Sequence, residues 1–310
     1  MFLHIFNALI ARGDSSDDDS QYGYDPSKPV ALIFIVLFGI STALHLGQAV
    51  YFKMWWLFPT ACLCGIGELV GWSGRLWSSF SPSADDPYMM QITTTIIAPT
   101  PLIAVSFILL GRIVERLGPC YSRITPRWYS RIFVSCDFIA LCAQGAGGGL
   151  AATANNDAGA KLGANIMLGG IVFQFVAIIA YAGCAADFLR RWKADKPVRE
   201  VPAYDREMRT AMDPRVKLLI WALTFSTFVL FIRSIYRIVE LSTGWNGVVI
   251  QTQVYFNVFD GGMVVLALYT INIAHPGLLL RSPASAPKKP CPWFLSDFFR
   301  PFAALHIPVQ

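Results

Sequence analysis

The sequence is short of charge and of the motifs that mark soluble or ATP-driven proteins. Only 15% of its 310 residues are Asp, Glu, Lys or Arg, whereas soluble domains carry about 25%. It has no Asn-X-Ser/Thr sequon and no Walker-type motif that could bind ATP. These shortages argue against a soluble domain and against direct use of ATP.

Cysteines are missing from the segments in which an extracellular disulfide could form. They lie either within apolar runs or in basic segments, at Cys62, Cys64, Cys120, Cys136, Cys142, Cys184 and Cys291. The sequence therefore predicts no extracellular disulfide framework. The first eleven residues are apolar but lack a basic start, so we predict no signal peptide.

Hydrophobic residues make up 55% of the chain, and its mean hydropathy is +0.48. They are concentrated in seven runs, each close to the roughly 20 residues that cross a bilayer as a helix. We place these runs at 30–51, 55–77, 89–112, 132–152, 164–186, 217–239 and 254–275. The sequence therefore predicts an all-α integral membrane protein, with a bundle of seven transmembrane helices within residues 29–277.

The distribution of basic residues predicts the orientation of this bundle. Most of the 25 Lys and Arg residues lie in three of the connecting segments, at 112–131, 187–217 and 276–310. The alternate connections contain almost none, so the positive-inside rule places the N-terminus outside and the C-terminus in the cytoplasm. The net charge of +5 reflects these loops, and we predict no nucleic-acid partner.

Two tails flank the predicted bundle. Residues 1–28 are acidic and rich in Gly and Ser, and we expect them to form a disordered extracellular tail. Residues 278–310 are expected to form a cytoplasmic tail.

Ionisable residues within the apolar runs are the main functional signal, because charge inside a membrane is costly unless it faces the protein interior and finds partners. Three acids and three arginines fall toward the outer side, namely Glu68, Arg75, Arg233, Arg237, Glu240 and Asp260. Their charges balance, which suits a shared buried network. We expect Glu68 to pair with an arginine of the sixth run, and Arg75 to pair with Glu240 or Asp260.

This layer has two compatible interpretations. It can lock the second, sixth and seventh helices together, or it can line a polar pocket that opens to the outer leaflet. We predict that the six residues bind ligand together with Gln144 of the fourth run, which lies near the middle of the membrane.

A secondary polar cluster is predicted from His45, Asp137, Gln174 and His275. Two histidines with Asp137 could ligate zinc in an intramembrane hydrolase, which stays as an alternative. Two histidines are few for such a site, and no His-x-x-x-His spacing is present. We therefore predict no metal, no cofactor and no catalytic residue, and we do not predict an enzyme. Pro99 and Pro101 are expected to kink the third helix.

Several short motifs occur in a specific order between Tyr24 and Gly277. They are Tyr24-x-Pro26, Glu68-x-x-Gly71-Trp72-x-x-Arg75, Ala98-Pro99, Gly111-Arg112-Ile113, Asp137 with Gln144-x-x-Gly147-Gly148-Gly149, Gln174, Arg233-x-x-Tyr236-Arg237-x-x-Glu240, Asp260 and His275-Pro276-Gly277. In this order the chain resembles the RTA-like, lipid-translocating exporter family of fungal membrane proteins. The resemblance implies seven spans, an extracellular N-terminus and a role in moving or resisting sphingoid bases, sterol analogues or porphyrin.

The chain departs from the family pattern at three positions. Gln253 and Asn257 stand where relatives often have Glu and Tyr, and Trp72 stands where Tyr is usual. The missing carboxylate makes the predicted site less acidic.

The functional hypothesis is ATP-independent translocation or export of amphiphilic lipids or lipid-like toxins, with membrane lipids as partners and the plasma membrane as location. The alternative is a seven-helix receptor or sensor for an extracellular or lipid ligand. The sequence lacks an Asp/Glu-Arg-Tyr motif after the third run and an Asn-Pro-x-x-Tyr motif in the seventh. It predicts no oligomeric state.

Overall fold

The computed structural model describes residues 22, 24–82, 84–154, 156–198, 212–243 and 249–280. Most of the two predicted tails, and the part of the basic loop at 199–211, lie outside these residues. Within the described ranges every regular element is a helix and none is a strand. The prediction of an all-α protein is confirmed for this part of the chain.

Residues 28–117 contain four α-helices. Helix α1 (Lys28–Tyr51) has a proline in its first turn, where a missing N–H costs nothing. A 3₁₀ turn and a π-helical segment then lead into α2, and two helices follow. Their bounds are Trp55–Leu57 for the 3₁₀ turn, Phe58–Cys62 for the π-helical segment, Leu63–Ser78 for α2, Asp85–Ile97 for α3 and Thr100–Leu117 for α4.

The described residues after 117 contain the longest helices. Asn156 caps the helix that follows it by accepting a hydrogen bond of 2.7 Å from the N–H of Gly159, and Asp213 caps the next by accepting one of 3.0 Å from the N–H of Arg215. The elements are α5 (Pro126–Thr153), α6 (Asp157–Ala194), α7 (Pro214–Ser242), α8 (Gln253–Tyr255), a π-helical segment (Phe256–Gly262), α9 (Met263–Ile273) and α10 (Pro276–Leu279).

The predicted interruption of the third run is confirmed at Ala98–Pro99, where α3 ends and α4 begins. Proline has no N–H to donate back along the helix, and its ring crowds the preceding turn. After this break, the N–H groups of Leu102 and Ile103 both donate to the carbonyl of Pro99.

Within the described residues, six stretches are long and apolar enough to cross a membrane: Lys28–Tyr51, Asp85–Leu117, Pro126–Ala151, Ala158–Ala194, Pro214–Ser242 and Gln253–Leu279. They agree with six of the seven predicted runs. The remaining run, 55–77, is helical over 55–78, but it is divided into three pieces and contains two charged residues. A count of seven spans and the orientation of the termini stay predictions.

The bundle has an apolar outside and a centre that contains its charged groups. The stretch Asp85–Leu117 is central, since 83% of its most apolar window is buried, compared with 28–39% for the other five. Helix α1 instead turns apolar side chains outward, with Leu32, Ile33 and Val36 each at least 50% exposed. This arrangement suits a helix bundle surrounded by lipid.

Candidate functional site

Arg237 is the centre of a buried ion network at one end of the bundle. Its Nε and Nη2 donate to the two carboxylate oxygens of Asp260, at 2.9 and 2.6 Å. Its Nη1 donates to Oε2 of Glu240 at 2.7 Å, and Nη2 also donates to the hydroxyl of Thr95 at 3.0 Å. All three charged side chains are at most 3% exposed. Such a two-pronged contact is the strongest that arginine makes with a carboxylate.

A second arginine completes the network. Nε of Arg233 lies 2.8 Å from Oδ1 of Asp260, and its Nη2 donates to the carbonyl of Thr95 at 2.6 Å. The hydroxyl of Tyr236 donates to Oε1 of Glu240 at 2.8 Å. We call Arg233, Arg237, Glu240 and Asp260 the charged tetrad. Its formal charge is zero, as burial in a membrane requires.

The backbone around Asp260 departs from a regular α-helix. Asp260 lies in the π-helical segment Phe256–Gly262, and such segments often occur at functional sites. The next residue, Gly261, lies against the ring of Trp72, so that a Cβ there would overlap Cζ2 of that ring. The widened turn and the glycine thus bring the carboxylate close to α2. Nothing in the apolar pattern of the seventh run indicated this segment.

Glu68 lies on α2 and is completely buried. Neither of its carboxylate oxygens has a hydrogen-bond partner, and it forms no ion pair within the described residues. The prediction that Glu68 pairs with an arginine of the sixth run is therefore wrong. The two arginines nearby direct their groups to Asp260, Glu240 and Thr95 instead.

Arg75, two turns further along α2, is also fully buried but contacts no carboxylate. Its Nη1 donates to Oε1 of Gln91 at 3.2 Å, and its Nη2 donates to the hydroxyl of Tyr24 at 2.8 Å. The ring of Phe256 lies 4.7 Å from the guanidinium carbon, within the range of cation–π attraction. The predicted pairing of Arg75 with Glu240 or Asp260 is wrong, because uncharged and aromatic groups surround it.

Three further contributors to this end of the bundle were not predicted as site residues. Gln91 and Thr95 come from α3, and Tyr22 places its ring 5.4 Å from the Arg75 guanidinium. Uncharged polar residues do not stand out in an apolar run. For Tyr22 the neighbouring Tyr24-x-Pro26 motif was the only available signal.

Gln144 does not belong to this layer. Its Oε1 accepts from the hydroxyl of Thr100 at 3.4 Å, and its Nε2 donates to Oε1 of Gln174 at 3.1 Å. Gln174 in turn donates to Oδ1 of Asp137 at 2.6 Å. Among the described residues Gln144 makes no hydrogen bond to the charged tetrad, and its part in ligand binding stays a prediction. It belongs to a polar chain, Thr100–Gln144–Gln174–Asp137, that connects α4, α5 and α6.

The predicted secondary cluster divides, because the two histidines lie between α1 and the last helices. Nε2 of His45 donates to the carbonyl of Leu268 at 3.3 Å. Nδ1 of His275 accepts from the N–H of Gly277 at 3.1 Å, and its ring stacks on Phe52 at 4.7 Å. Over the described ranges, no three His, Cys, Asp or Glu residues form a group that could hold a metal ion. The ligand set of the zinc hydrolase alternative is thus not assembled there.

The polar chain leads to a stability prediction. Replacing Gln174 by alanine leaves Asp137 and Gln144 buried with fewer partners, so we expect a loss of about 1–3 kcal/mol in the free energy of unfolding. Equilibrium unfolding in mixed micelles would measure it. Gln251→Ala, at an exposed position, is the matched control and should change little; equal losses for both variants would contradict the hydrogen-bonded chain.

An apolar exterior around a buried ion network defines a multi-pass membrane protein. The family model described as "RTA1 like protein" matches residues 61–283. The chain belongs to this family, which confirms the resemblance inferred from the motifs.

Three relatives from Saccharomyces cerevisiae illustrate the similarity. The sphingoid long-chain base transporter RSB1 of strain JAY291 is 26% identical over 298 residues, which cover 88% of this chain and 78% of the relative. Protoporphyrin uptake protein 1 is 27% identical over 289 residues, 81% of this chain and 90% of that protein. Protein RTM1 is 29% identical over 204 residues, 65% and 62% of the two chains. No solved structure matches the chain.

Proposed function

We propose that this protein moves amphiphilic lipids or lipid-like toxic compounds across its membrane without ATP. The observation that carries the proposal is the pair of fully buried ionisable residues on α2, Glu68 and Arg75, for which the described residues supply no ion-pair partner. Helix packing alone gives no reason to bury such groups. The names of two relatives, a long-chain base transporter and a porphyrin uptake protein, support the same substrate class.

Glu68 and Arg75 suit headgroups of opposite charge. A headgroup passing between α2, α7 and the π-helical segment Phe256–Gly262 would meet Glu68 if cationic and Arg75 if anionic, while its acyl chain stays in lipid. The charged tetrad holds α7 and the π-helical segment together and is electrically neutral. In this role the tetrad is the fixed wall of the path, and Glu68 and Arg75 are the residues that exchange partners.

The proposal includes a topology. We place seven spans in the plasma membrane, with 55–78 as the second, the N-terminus outside and the basic connections in the cytoplasm. Tyr24, Arg75, Glu240 and Asp260 lie near helix ends that this topology puts on the outer side. The headgroup path would then open to the outer leaflet.

A flux assay tests the proposal. The full-length protein would be reconstituted into liposomes without ATP, and quenching of fluorescent single-chain amphiphiles with cationic, anionic or uncharged headgroups would report their movement between leaflets. We expect faster movement than in protein-free vesicles for at least one charged class. Mass spectrometry of the lipid that co-purifies would identify its chemistry.

The receptor alternative predicts a different outcome. A receptor would bind an amphiphile saturably, and would bind a cytoplasmic partner in a ligand-dependent way, with no increase in flux. Movement at the protein-free rate for every headgroup, with active binding by the same preparation, would reject transport and favour the receptor.

A further inference from the structure

Glu68 differs from every other buried carboxylate that the structure describes. Asp137, Glu240 and Asp260 each accept at least one hydrogen bond from a side chain. Glu68 accepts none at either oxygen, although it is completely buried. A buried polar group without a partner is rare in folded proteins, and each case needs a physical explanation.

The charged groups around Glu68 decide whether its carboxyl is ionised or protonated. The charged groups that act on it from other elements are Arg233 and Arg237 of α7 and Asp260 of the π-helical segment. The arginines are already engaged by Asp260 and Glu240, so the tetrad contributes no net charge. An ionised Glu68 would therefore have no counter-ion of its own, with the indole N–H of Trp72 as its nearby donor, and a membrane interior disfavours such a charge.

The remaining neighbours are uncharged. On its own helix, Cys64 lies one turn before Glu68 and within its electrostatic range, and Trp72 lies one turn after it. Where α1 and α3 come closest to α2, at Gly65 and Gly71, they present the hydroxyl residues Thr42, Thr94 and Thr95. None of these groups can replace a counter-ion.

We infer that Glu68 carries a proton when the transport path is empty and gives it up when the cationic headgroup of a substrate arrives. This inference rests on the proposed transport function and adds its energy source. The O–H bond of Glu68 breaks, the proton passes to water on the side to which the path is open, and the carboxylate pairs with the incoming cation. When the cation leaves, a proton from the other side restores the neutral carboxyl.

The cycle exchanges one proton for one monovalent cation and moves no net charge. A pH gradient alone can then drive transport. For such an exchange, a gradient of one pH unit sustains about a tenfold accumulation of the cation on the acidic side, since one pH unit and a tenfold ratio are the same free energy. No nucleotide is required.

The test uses the full-length protein in liposomes with an acidic interior and with the membrane potential held at zero by potassium and valinomycin. The probe is a fluorescent single-chain amphiphile with a quaternary ammonium headgroup, because its permanent charge prevents simple trapping of a weak base. We expect the unmodified protein to accumulate the probe about tenfold per pH unit. With Glu68→Gln, the probe concentrations inside and outside should be equal. Glu115→Gln, which makes the same change at an exposed position, should behave like the unmodified protein.

The outcomes separate this inference from the transport proposal itself. Two results would overturn the proton exchange but not the transport proposal. One is cation movement that does not depend on the pH gradient. The other is pH-driven movement that persists in Glu68→Gln. Absence of movement for every amphiphile overturns both the exchange and transport. Transport of an anionic amphiphile together with a proton, driven by the pH gradient, would also overturn the proposed exchange.

Infrared difference spectroscopy adds a readout that does not depend on flux or on the folding of a variant. The unmodified protein should show a protonated carboxyl band that weakens when the quaternary amphiphile is added. The assignment to Glu68 requires that the amphiphile-sensitive part of the band is missing from Glu68→Gln and kept in Glu115→Gln. A band that is insensitive to the amphiphile, or absent from the unmodified protein, contradicts the inference.

Discussion

Replacing Arg237 by alanine is expected to lower the free energy of unfolding by about 3–5 kcal/mol, the usual result of removing one partner from a buried ion network. The Arg237 guanidinium donates to both oxygens of Asp260, to Glu240 and to Thr95. Among the described residues, its loss leaves Glu240 with the Tyr236 hydroxyl and Asp260 with Arg233. Two buried carboxylates then share one arginine.

The measurement is equilibrium unfolding in mixed micelles, with helix content as the signal. Arg123→Ala is the matched control, because Arg123 also bridges a carboxylate, Asp187, but its side chain is 66% exposed. An exposed pair gains little from its mutual attraction, so this variant should unfold close to the parent. Similar unfolding of the two variants would show that the tetrad does not hold the bundle together.

The charged layer could be predicted from the sequence, but its pairing could not. Six ionisable residues in apolar runs are visible because lipid tolerates so few, and the spacing of Arg233, Arg237 and Glu240 places them on one helix face. Which face of α2 meets α7 depends on helix rotation, for which the pattern gives only an approximate angle. An error in this angle is enough to explain why a Glu68–arginine pair was expected, whereas the structure has Asp260–arginine pairs.

The lengths of two helices were underestimated. The predicted runs 132–152 and 164–186 are shorter than α5 (Pro126–Thr153) and α6 (Asp157–Ala194), which continue well beyond the apolar stretches. Gln144 and Gln174 were expected at the same depth, in agreement with their hydrogen bond, but the contact of Gln144 with Thr100 was not predicted. The elements were predictable from hydrophobicity, whereas contacts between uncharged polar side chains required the three-dimensional packing.

The contact between Gly261 and Trp72 is a second place where one small change should have a large effect. Trp72 is fully buried and stacks on Phe34 at 4.0 Å with an angle of 17° between the rings. A Cβ on Gly261 would overlap the Trp72 ring and lie 2.9 Å from Cε1 of Phe34. Because the indole stacks on Phe34 of α1, relieving this overlap would require both rings to shift.

We therefore expect Gly261→Ala to destabilise the protein by about 1–3 kcal/mol, as overpacking does. Gly169→Ala is the control, since a Cβ at that helical position meets nothing within 4 Å. There the substitution should be neutral, or should stabilise by up to about 1 kcal/mol, because alanine favours a helix more than glycine does. Thermal and denaturant unfolding of both variants would measure the difference.

A double-mutant cycle decides whether the indole itself causes this loss. Trp72→Tyr removes the part of the ring that Gly261 faces, so alanine at 261 should cost less in the tyrosine background, with a coupling of about 0.5–3 kcal/mol. If the two substitutions are additive, the loss must come from backbone changes in the π-helical segment and not from the ring. A coupling of this size would mean that the large side chain of Trp72 fits only because residue 261 is a glycine. It would also explain how α2, which carries Glu68, is kept within electrostatic reach of Asp260.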